Sequence, residues 1–138
     1  MSYAGDLTPQ EAWEMLSEQS NVLLVDVRTV PEWNYVGIPD LSSIGKETHL
    51  VSWIEFPHMT ENQNFVDQIS QLAPDQSTPI LMLCRSGVRS IASAEIMTVQ
   101  GYTACYNVLQ GFEGDMDDAR HRSSKGGWKK ANLPWIQN

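Results

Sequence analysis

The stretch that decides the fold reads Pro79-Ile80-Leu81-Met82-Leu83-Cys84-Arg85-Ser86-Gly87-Val88-Arg89. Its first half is an apolar run bounded by a proline, which predicts a strand buried on both faces. From Val88 to Gln100 apolar side chains recur at helical spacing, and Gly101 is typical of the residue that ends a helix. The pattern therefore places Cys84 at a turn from a strand to a helix, where open α/β sheets bind their ligands.

Predicted strands and helices alternate on both sides of this turn. Thr8-Pro9-Gln10-Glu11 is a capping box with proline at the first helical position, so a helix is predicted from there to Ser20 or Asn21. The other predicted elements are strands over residues 22–27, 50–56 and 104–109, helices over 65–72 and 111–119, a polar loop over 120–127 and a closing segment over 128–135. Such alternation favours an open parallel α/β sheet.

The composition excludes several classes of protein. A chain of 138 residues with 41% hydrophobic and 19% charged residues is long enough for one core and too apolar for disorder. Its longest apolar run, Ile80 to Cys84, is far shorter than the about 20 residues that cross a bilayer, and the first residues lack a secretory signal pattern. The net charge of −8 disfavours binding to nucleic acid or to an anionic membrane. We therefore expect a cytoplasmic protein.

The two cysteines differ in their neighbours. Cys84 is flanked by Arg85 and Arg89 and precedes a predicted helix, where backbone amides and the helix dipole favour a thiolate. Gly87 permits a tight turn there, and the two arginines supply charge that suits an anion. Cys105 lies inside a predicted strand without an adjacent cation, so we expect a buried structural thiol. Without an export signal, both cysteines are expected to stay reduced.

Other polar residues have structural interpretations. Glu32 and Trp33 follow the predicted strand over 22–27 and are expected to cap a short turn and to pack against the core. The three histidines are not at metal-ligand spacing, so the sequence predicts no zinc site. We expect them at the surface: His49, His58 and His121.

Four motifs along the chain resemble, in the same order, those of rhodanese-like single-domain sulfurtransferases. The central one is the loop over residues 84–90, Cys-Arg-Ser-Gly-Val-Arg-Ser, which is similar to the active-site loop of that family. The others are Asp26-Val27-Arg28 with Glu32-Trp33 and Ile38-Pro39, Asn107-Val108 with Gly111-Phe112, and a closing segment over 127–135 similar to that of some bacterial members. The resemblance implies a single rhodanese-like domain over residues 1–138, with an open, mainly parallel five-stranded sheet and helices on both faces.

The resemblance also implies an activity, that of a thiosulfate sulfurtransferase. Cys84 would be the catalytic residue: it would take a sulfane sulfur from thiosulfate or a persulfide donor, hold it as a persulfide, and pass it to a thiol or to cyanide. This chemistry requires no metal and no organic cofactor. The loop residues that would bind the small anionic donor and stabilise the persulfide are Arg85, Ser86, Gly87, Val88 and Arg89.

Asp26 and Arg28 leave two interpretations open. An Asp-X-Arg pair at the end of a strand is often a structural ion pair that holds neighbouring loops. The resemblance instead implies that both side chains support the loop over residues 84–90. We treat them as supporting residues and not as catalysts.

Two other functions fit parts of the same pattern. A cysteine-dependent phosphatase or arsenate reductase holds its thiolate in a similar loop, with one residue more between the cysteine and the arginine. Here four residues separate Cys84 from Arg89 and position 90 is serine, so the shorter loop suits one sulfur atom better than a tetrahedral phosphate. A persulfide carrier or protein-interaction module would keep the same residues, with a sulfur-relay protein as its partner.

Overall fold

The computed structural model describes residues 3–137, which contain a five-stranded parallel sheet flanked by helices. In chain order the strands are β1 (Gly5–Leu7), β2 (Leu23–Asp26), β3 (Ile38–Pro39), β4 (His49–Leu50), β5 (Ile54–Glu55), β6 (Thr60–Glu61), β7 (Ile80–Leu83), β8 (Cys105–Val108) and β9 (Trp135–Ile136). The α-helices are α1 (Pro9–Glu18), α2 (Phe65–Leu72) and α3 (Arg89–Val99), and two single turns of other helix types lie at Glu32–Val36 (π) and Ser42–Ile44 (3-10). The strand order is β1-β8-β7-β2-β4, and each neighbouring pair is parallel. The predicted open, mainly parallel five-stranded α/β sheet is confirmed.

Helices cover both faces of the sheet because residues along each central strand alternate between two apolar cores. The first core packs the sheet against α2 and α3, and its members include Val25, Ile80, Met82, Cys105, Phe65, Ile69, Ala94 and Met97. The second packs the opposite face against α1 and the end of the chain, and its members include Leu24, Leu81, Leu83, Val108, Ala12, Leu16, Phe112 and Trp128. Helices on both faces were predicted, and this too is confirmed.

Helix α1 begins where the capping box predicts and ends short of its predicted end. Thr8 Oγ1 accepts a hydrogen bond from the Glu11 amide at 3.1 Å, and Glu11 Oε1 accepts one from the Thr8 amide at 2.9 Å. The helix stops at Glu18 because the Gln19 backbone is already extended. The Gln19 carbonyl oxygen instead accepts a hydrogen bond from Lys46 Nζ at 2.6 Å.

The strand predicted over residues 50–56 is wrong in its extent. β4 ends at Leu50 and pairs with β2. The strand-forming residues that follow belong to β5, which pairs antiparallel with β6 in a separate hairpin. The chain leaves the sheet between these strands, where the Ser52 hydroxyl donates a hydrogen bond to the Arg28 carbonyl oxygen at 2.8 Å.

The helix predicted over residues 111–119 is wrong, since this segment consists of turns and bends. Gly111 and Gly114 have φ angles of 59° and 70°, which a right-handed helix does not contain. The amides that a helix would use internally bind the loop after β7 instead. Phe112 N, for example, donates a hydrogen bond to the Cys84 carbonyl oxygen at 2.8 Å.

Four short strands have no counterpart among the predicted elements. β1 forms one edge of the sheet, β3 pairs antiparallel with β9, and β6 pairs antiparallel with β5. Each has two or three residues, which is too few for a period-two pattern to show in the sequence. Residues 120–127 form a loop, as predicted. No helix within residues 3–137 has the length and apolar character needed to span a membrane.

Candidate active site at the carboxyl edge of the sheet

Cys84 directly follows β7, the middle strand of the sheet, and is 1% exposed. The chain then turns, and α3 begins at Arg89. Within the turn, the Gly87 amide donates a hydrogen bond to the Cys84 sulfur at 3.0 Å. A backbone N–H aimed at sulfur, next to the amino end of a helix, stabilises negative charge on that sulfur.

Two glycines hold the turn after Cys84 in this shape. Gly87 has a φ angle of +103°, which side chains rarely adopt, and a Cβ there would lie 3.2 Å from the Gln110 amide nitrogen. Gly111 has a φ angle of +59°, and a Cβ there would overlap the Cys84 carbonyl oxygen. The turn that contains Gly111 donates amides to the carbonyl oxygens of Cys84 and Arg85. These carbonyls are thus bound from outside the loop, and on its inner side the Gly87 amide faces the sulfur.

Ser90, in the first turn of α3, brings a second polar group to the sulfur. Its Oγ lies 3.2 Å from the Cys84 sulfur and donates a hydrogen bond to Asn107 Oδ1 at 2.5 Å. Ser90 and Asn107 are both buried. From the sequence these two residues were members of motifs without a role of their own. The signal that could have found them is a polar side chain on an otherwise apolar helix face and strand.

The two arginines of the loop lie in different environments. Arg85 is exposed, and its guanidinium has no ion-pair partner within residues 3–137. Arg89 donates two hydrogen bonds to Glu32, from Nη1 to Oε1 at 2.9 Å and from Nη2 to Oε2 at 3.0 Å. Burial raises the pKa of Glu32, but the hydrogen bonds and the charge of Arg89 outweigh burial and lower it. Arg85 therefore remains available to an anionic ligand.

Glu32 does more than cap the turn after β2. It accepts hydrogen bonds from the Thr29 amide and hydroxyl at 3.2 and 2.9 Å, as a capping residue does. Through Arg89 it also ties this turn to the start of α3. No local pattern in the sequence indicates this pair, because the two residues lie 57 positions apart. Trp33 is partly buried, in agreement with a packing residue.

Asp26 and Arg28 form a fully buried ion pair at the end of β2. Arg28 Nη2 donates a hydrogen bond to Asp26 Oδ2 at 2.7 Å and another to the Gly37 carbonyl oxygen at 2.6 Å. Its guanidinium carbon lies 4.4 Å from the centroid of the Phe112 ring. Since the Phe112 amide binds the Cys84 carbonyl, the pair joins neighbouring loops and also packs behind the turn that holds Cys84.

The other residues of the predicted site, and the second cysteine, differ in burial. Ser86 is partly buried, whereas Val88 is 73% exposed on the outer side of the loop. Cys105 is a free thiol in the first apolar core, and burial raises its pKa to about 11. Within residues 3–137 no group of three or more His, Cys, Asp and Glu side chains is arranged to hold a metal ion.

Known proteins and a family description match this chain over most of its length. The family described as the STR4 middle domain matches residues 5–138. The crystal structure of Rv0390 from M. tuberculosis is 48% identical, with a TM-score of 0.87 over 99% of both chains. The uncharacterized protein RC0915 of Rickettsia conorii is 41% identical over 91% of both chains. Thiosulfate sulfurtransferase GlpE of Haemophilus influenzae is 31% identical over 94% of this chain and 91% of that protein.

The cysteine is buried between the middle strand of a parallel sheet and a helix, and an amide binds its sulfur. These features define a class of α/β proteins built around a thiol. Within that class, the matches over nearly the full chain identify the family. The chain belongs to the rhodanese-like sulfurtransferases.

Proposed function

We propose that this protein transfers a sulfane sulfur from thiosulfate or a persulfide donor to a thiol or cyanide acceptor, through a persulfide on Cys84. The observation that carries the proposal is the hydrogen bond from the Gly87 amide to the Cys84 sulfur at the start of α3. This position favours negative charge, which the thiolate carries before the transfer and the outer persulfide sulfur carries after it. The name of the GlpE relative, a thiosulfate sulfurtransferase, supports the same donor.

In the first step the Cys84 thiolate attacks the outer sulfur of thiosulfate. A bond forms between the two sulfur atoms, the sulfur–sulfur bond within thiosulfate breaks, and sulfite leaves with the electron pair. With a persulfide donor, the leaving group is the donor's thiolate. Arg85 follows Cys84 in the chain and is exposed without an ion pair in the described residues, so its charge attracts the anionic donor.

In the second step the acceptor attacks the outer sulfur of the Cys84 persulfide. A bond forms between the acceptor and that sulfur, the sulfur–sulfur bond of the persulfide breaks, and the electron pair returns to Cys84 as a thiolate. Cyanide becomes thiocyanate, and a thiolate becomes a new persulfide. Atoms and electrons balance over the two steps, so the reaction calls for no redox partner.

The charged residues behind the loop act as positioning residues. Glu32 holds Arg89 at the start of α3, and the buried pair of Asp26 and Arg28 packs against Phe112. Because Arg89 is already bound by two hydrogen bonds, it is not free to close over a tetrahedral anion. This arrangement favours sulfur transfer over a phosphatase reaction.

The proposal is tested by the mass of the intact protein after incubation with thiosulfate. We expect the wild type and a Cys105→Ala variant to gain one sulfur atom, a Cys84→Ser variant to gain none, and cyanide to remove the added sulfur as thiocyanate. Peptide mapping assigns the modified cysteine. Uptake on Cys105, or no uptake by the wild type from thiosulfate or a persulfide donor, would contradict the proposal. Uptake that only a protein thiol can remove would favour a persulfide carrier in a relay.

A further inference from the structure

A buried chain of hydrogen bonds leads away from the Cys84 sulfur. Ser90 Oγ lies 3.2 Å from that sulfur and 2.5 Å from Asn107 Oδ1, to which it donates. Asn107 Nδ2 in turn donates to Asp6 Oδ1 at 3.1 Å. Cys84, Ser90 and Asn107 are each at most 1% exposed, whereas Asp6 is exposed. Ser90 thus bridges the Cys84 sulfur and the side-chain amide of Asn107, whose other end is hydrogen-bonded to Asp6.

The Asp6 contact fixes the direction of these hydrogen bonds. A carboxylate only accepts, so the Asn107 group that faces it is the donating NH2, and the Asn107 carbonyl oxygen must face Ser90. Tyr3 Oη also donates to Asp6 Oδ1, at 2.8 Å, and so adds a second donor to the carboxylate. Ser90 therefore donates to Asn107 as long as the Cys84 thiol keeps its own hydrogen and can donate it to Ser90 Oγ.

Loss of the thiol hydrogen creates a conflict at Ser90, because a serine hydroxyl has one hydrogen to donate. If the hydroxyl keeps donating to Asn107, it turns a lone pair towards the sulfur anion. If it rotates to donate to the sulfur, the buried Asn107 carbonyl loses a donor. A hydrogen bond to a charged acceptor is about twice as strong as one between neutral groups, so the rotation towards the sulfur is favoured.

We propose that Ser90 is a positioning residue that moves its hydrogen bond from Asn107 Oδ1 to the Cys84 sulfur when that sulfur becomes an anion, and that Asn107 opposes this change. The Ser90 hydrogen stays on its own oxygen throughout, and the thiol proton leaves to solvent. Ser90 would then favour the reactive thiolate, whereas Asn107 would favour the resting thiol. The inference rests on the proposed function, since it concerns the sulfur that would carry the persulfide.

Two substitutions in this one chain of hydrogen bonds should change the reactivity of Cys84 in opposite directions. Ser90→Ala removes the donor to the thiolate, and we expect iodoacetamide to alkylate Cys84 about tenfold more slowly at neutral pH. Asn107→Leu has a similar shape, removes the competing acceptor and leaves Ser90 free to donate to the sulfur. We expect alkylation about threefold faster than in the wild type. The rate is measured from the mass of the peptide that contains Cys84.

The ultraviolet absorbance of the thiolate gives a second readout that a purely structural role would not move. The absorbance lost on alkylation of Cys84 should be smaller than that of the wild type in Ser90→Ala and larger in Asn107→Leu. A purely structural role predicts that both substitutions act in the same direction, through a looser loop.

The double variant Ser90→Ala/Asn107→Leu separates stability from reactivity. Ser90→Ala leaves the buried Asn107 carbonyl without its donor, whereas the double variant removes that carbonyl as well. We expect the double variant to melt at a higher temperature than Ser90→Ala and to alkylate as slowly. If Ser90→Ala alone does not fold, the alkylation rate of Cys84 without the Ser90 hydroxyl is measured in the double variant.

The inference is overturned if loss of the Ser90 hydroxyl leaves Cys84 alkylation unchanged or faster, or if Asn107→Leu slows it. These outcomes are independent of sulfur transfer, since alkylation of the thiolate requires no sulfur donor and no acceptor. If Ser90→Ala slows alkylation and Asn107→Leu speeds it, but the wild type takes up no sulfur, the proposed function is overturned and the role of Ser90 is retained.

Discussion

The two cysteines are almost equally buried, at 1% and 0% exposed, yet they lie in opposite chemical environments. Cys84 follows the last residue of β7, whereas Cys105 pairs in register with Ile80, the first residue of that strand. At about 3.3 Å per residue, this places them at opposite ends of the sheet. The Cys84 sulfur contacts the Gly87 amide and Ser90 Oγ. No hydrogen bond to the Cys105 sulfur is present within residues 3–137.

The two thiols thus differ in their polar neighbours and not in their exposure. Burial among apolar side chains raises the pKa of Cys105 to about 11 and keeps it neutral. Cys84 is buried too, but its sulfur accepts a hydrogen bond from the Gly87 amide beside the amino end of α3, and the charge of Arg89 lies within electrostatic reach of it. The carboxyl edge of the sheet supplies these groups, and its amino edge does not.

The largest expected effect comes from removing each cysteine in turn. We expect Cys84→Ser to lower the rate of sulfur transfer from thiosulfate to cyanide by about a thousandfold or more, because the nucleophile is lost. Cys105→Ala should keep most of the activity and lose stability, because it removes a buried sulfur from the core. The measurement is thiocyanate formation at matched protein concentration, with thermal melting as the check on folding. Equal losses of activity would show that the two ends of the sheet do not differ in function.

The next effect concerns the backbone, and the two ends of α3 offer a matched pair of glycines. Gly87 and Gly101 have φ angles of +103° and +109°, so an alanine at either position is strained by a similar amount, about 1–2 kcal/mol. Gly87→Ala also turns the amide that binds Cys84, and we expect sulfur transfer to fall by at least about tenfold. Gly101→Ala should lower the free energy of unfolding and leave the rate of sulfur transfer unchanged. Similar rates in the two variants would mean that the Gly87 amide has no part in the reaction.

Much of this comparison could be predicted from the sequence, because it rests on local patterns. The apolar run, the glycine and the helical spacing after Cys84 indicated a strand, a turn and a helix, and α2 was predicted at its observed bounds of Phe65–Leu72. The contrast between Cys84 and Cys105 followed from their neighbours in the chain. Each of these features needs only a few adjacent residues to specify it.

The features that were missed depend on contacts between distant segments. The turn after β8 was wrongly predicted as a helix. Its amides bind the carbonyl oxygens of Cys84 and Arg85, two residues far back in the chain, and so do not form helical hydrogen bonds. The ion pair of Glu32 and Arg89 and the hydrogen bond of Ser90 to Asn107 likewise join separate elements. Local propensity carries no signal for such pairs, so only the folded structure brings them together.

A smaller effect should separate the exposed arginine of the loop from cations elsewhere. Arg85→Gln removes a charge beside Cys84, and we expect the KM for thiosulfate to rise about fivefold with less than about twofold change in kcat, as for lost ground-state binding. Lys130→Gln removes the same charge from an exposed site in the closing segment and should leave KM unchanged. The difference should shrink as salt is added, because an exposed charge is screened. An unchanged KM in Arg85→Gln at low salt would contradict this role.

The smallest expected effect is on stability and tests whether Glu32 holds the carboxyl edge together. Its side chain is 18% exposed, and that of Arg89 is 19% exposed, so the pair is screened by solvent only in part. We expect Glu32→Gln to lower the free energy of unfolding at pH 7 by about 1 kcal/mol. Glu14→Gln, at an exposed position on α1, is the control and should change it by less.

The pH dependence of that difference follows from the direction of the pKa shift. Burial raises the pKa of Glu32, but its hydrogen bonds and the charge of Arg89 outweigh burial and bring the pKa below its usual 4.5, so the folded protein binds the proton more weakly than the unfolded chain does. The stabilisation is therefore fully present above pH 4.5 and is lost as the pH falls through the lowered pKa of the folded state. Denaturant unfolding of the wild type and Glu32→Gln should give free energies that differ at pH 7 and converge in acid. A difference that persists below both pKa values would mean that Glu32 stabilises the loop by packing and not by its charge.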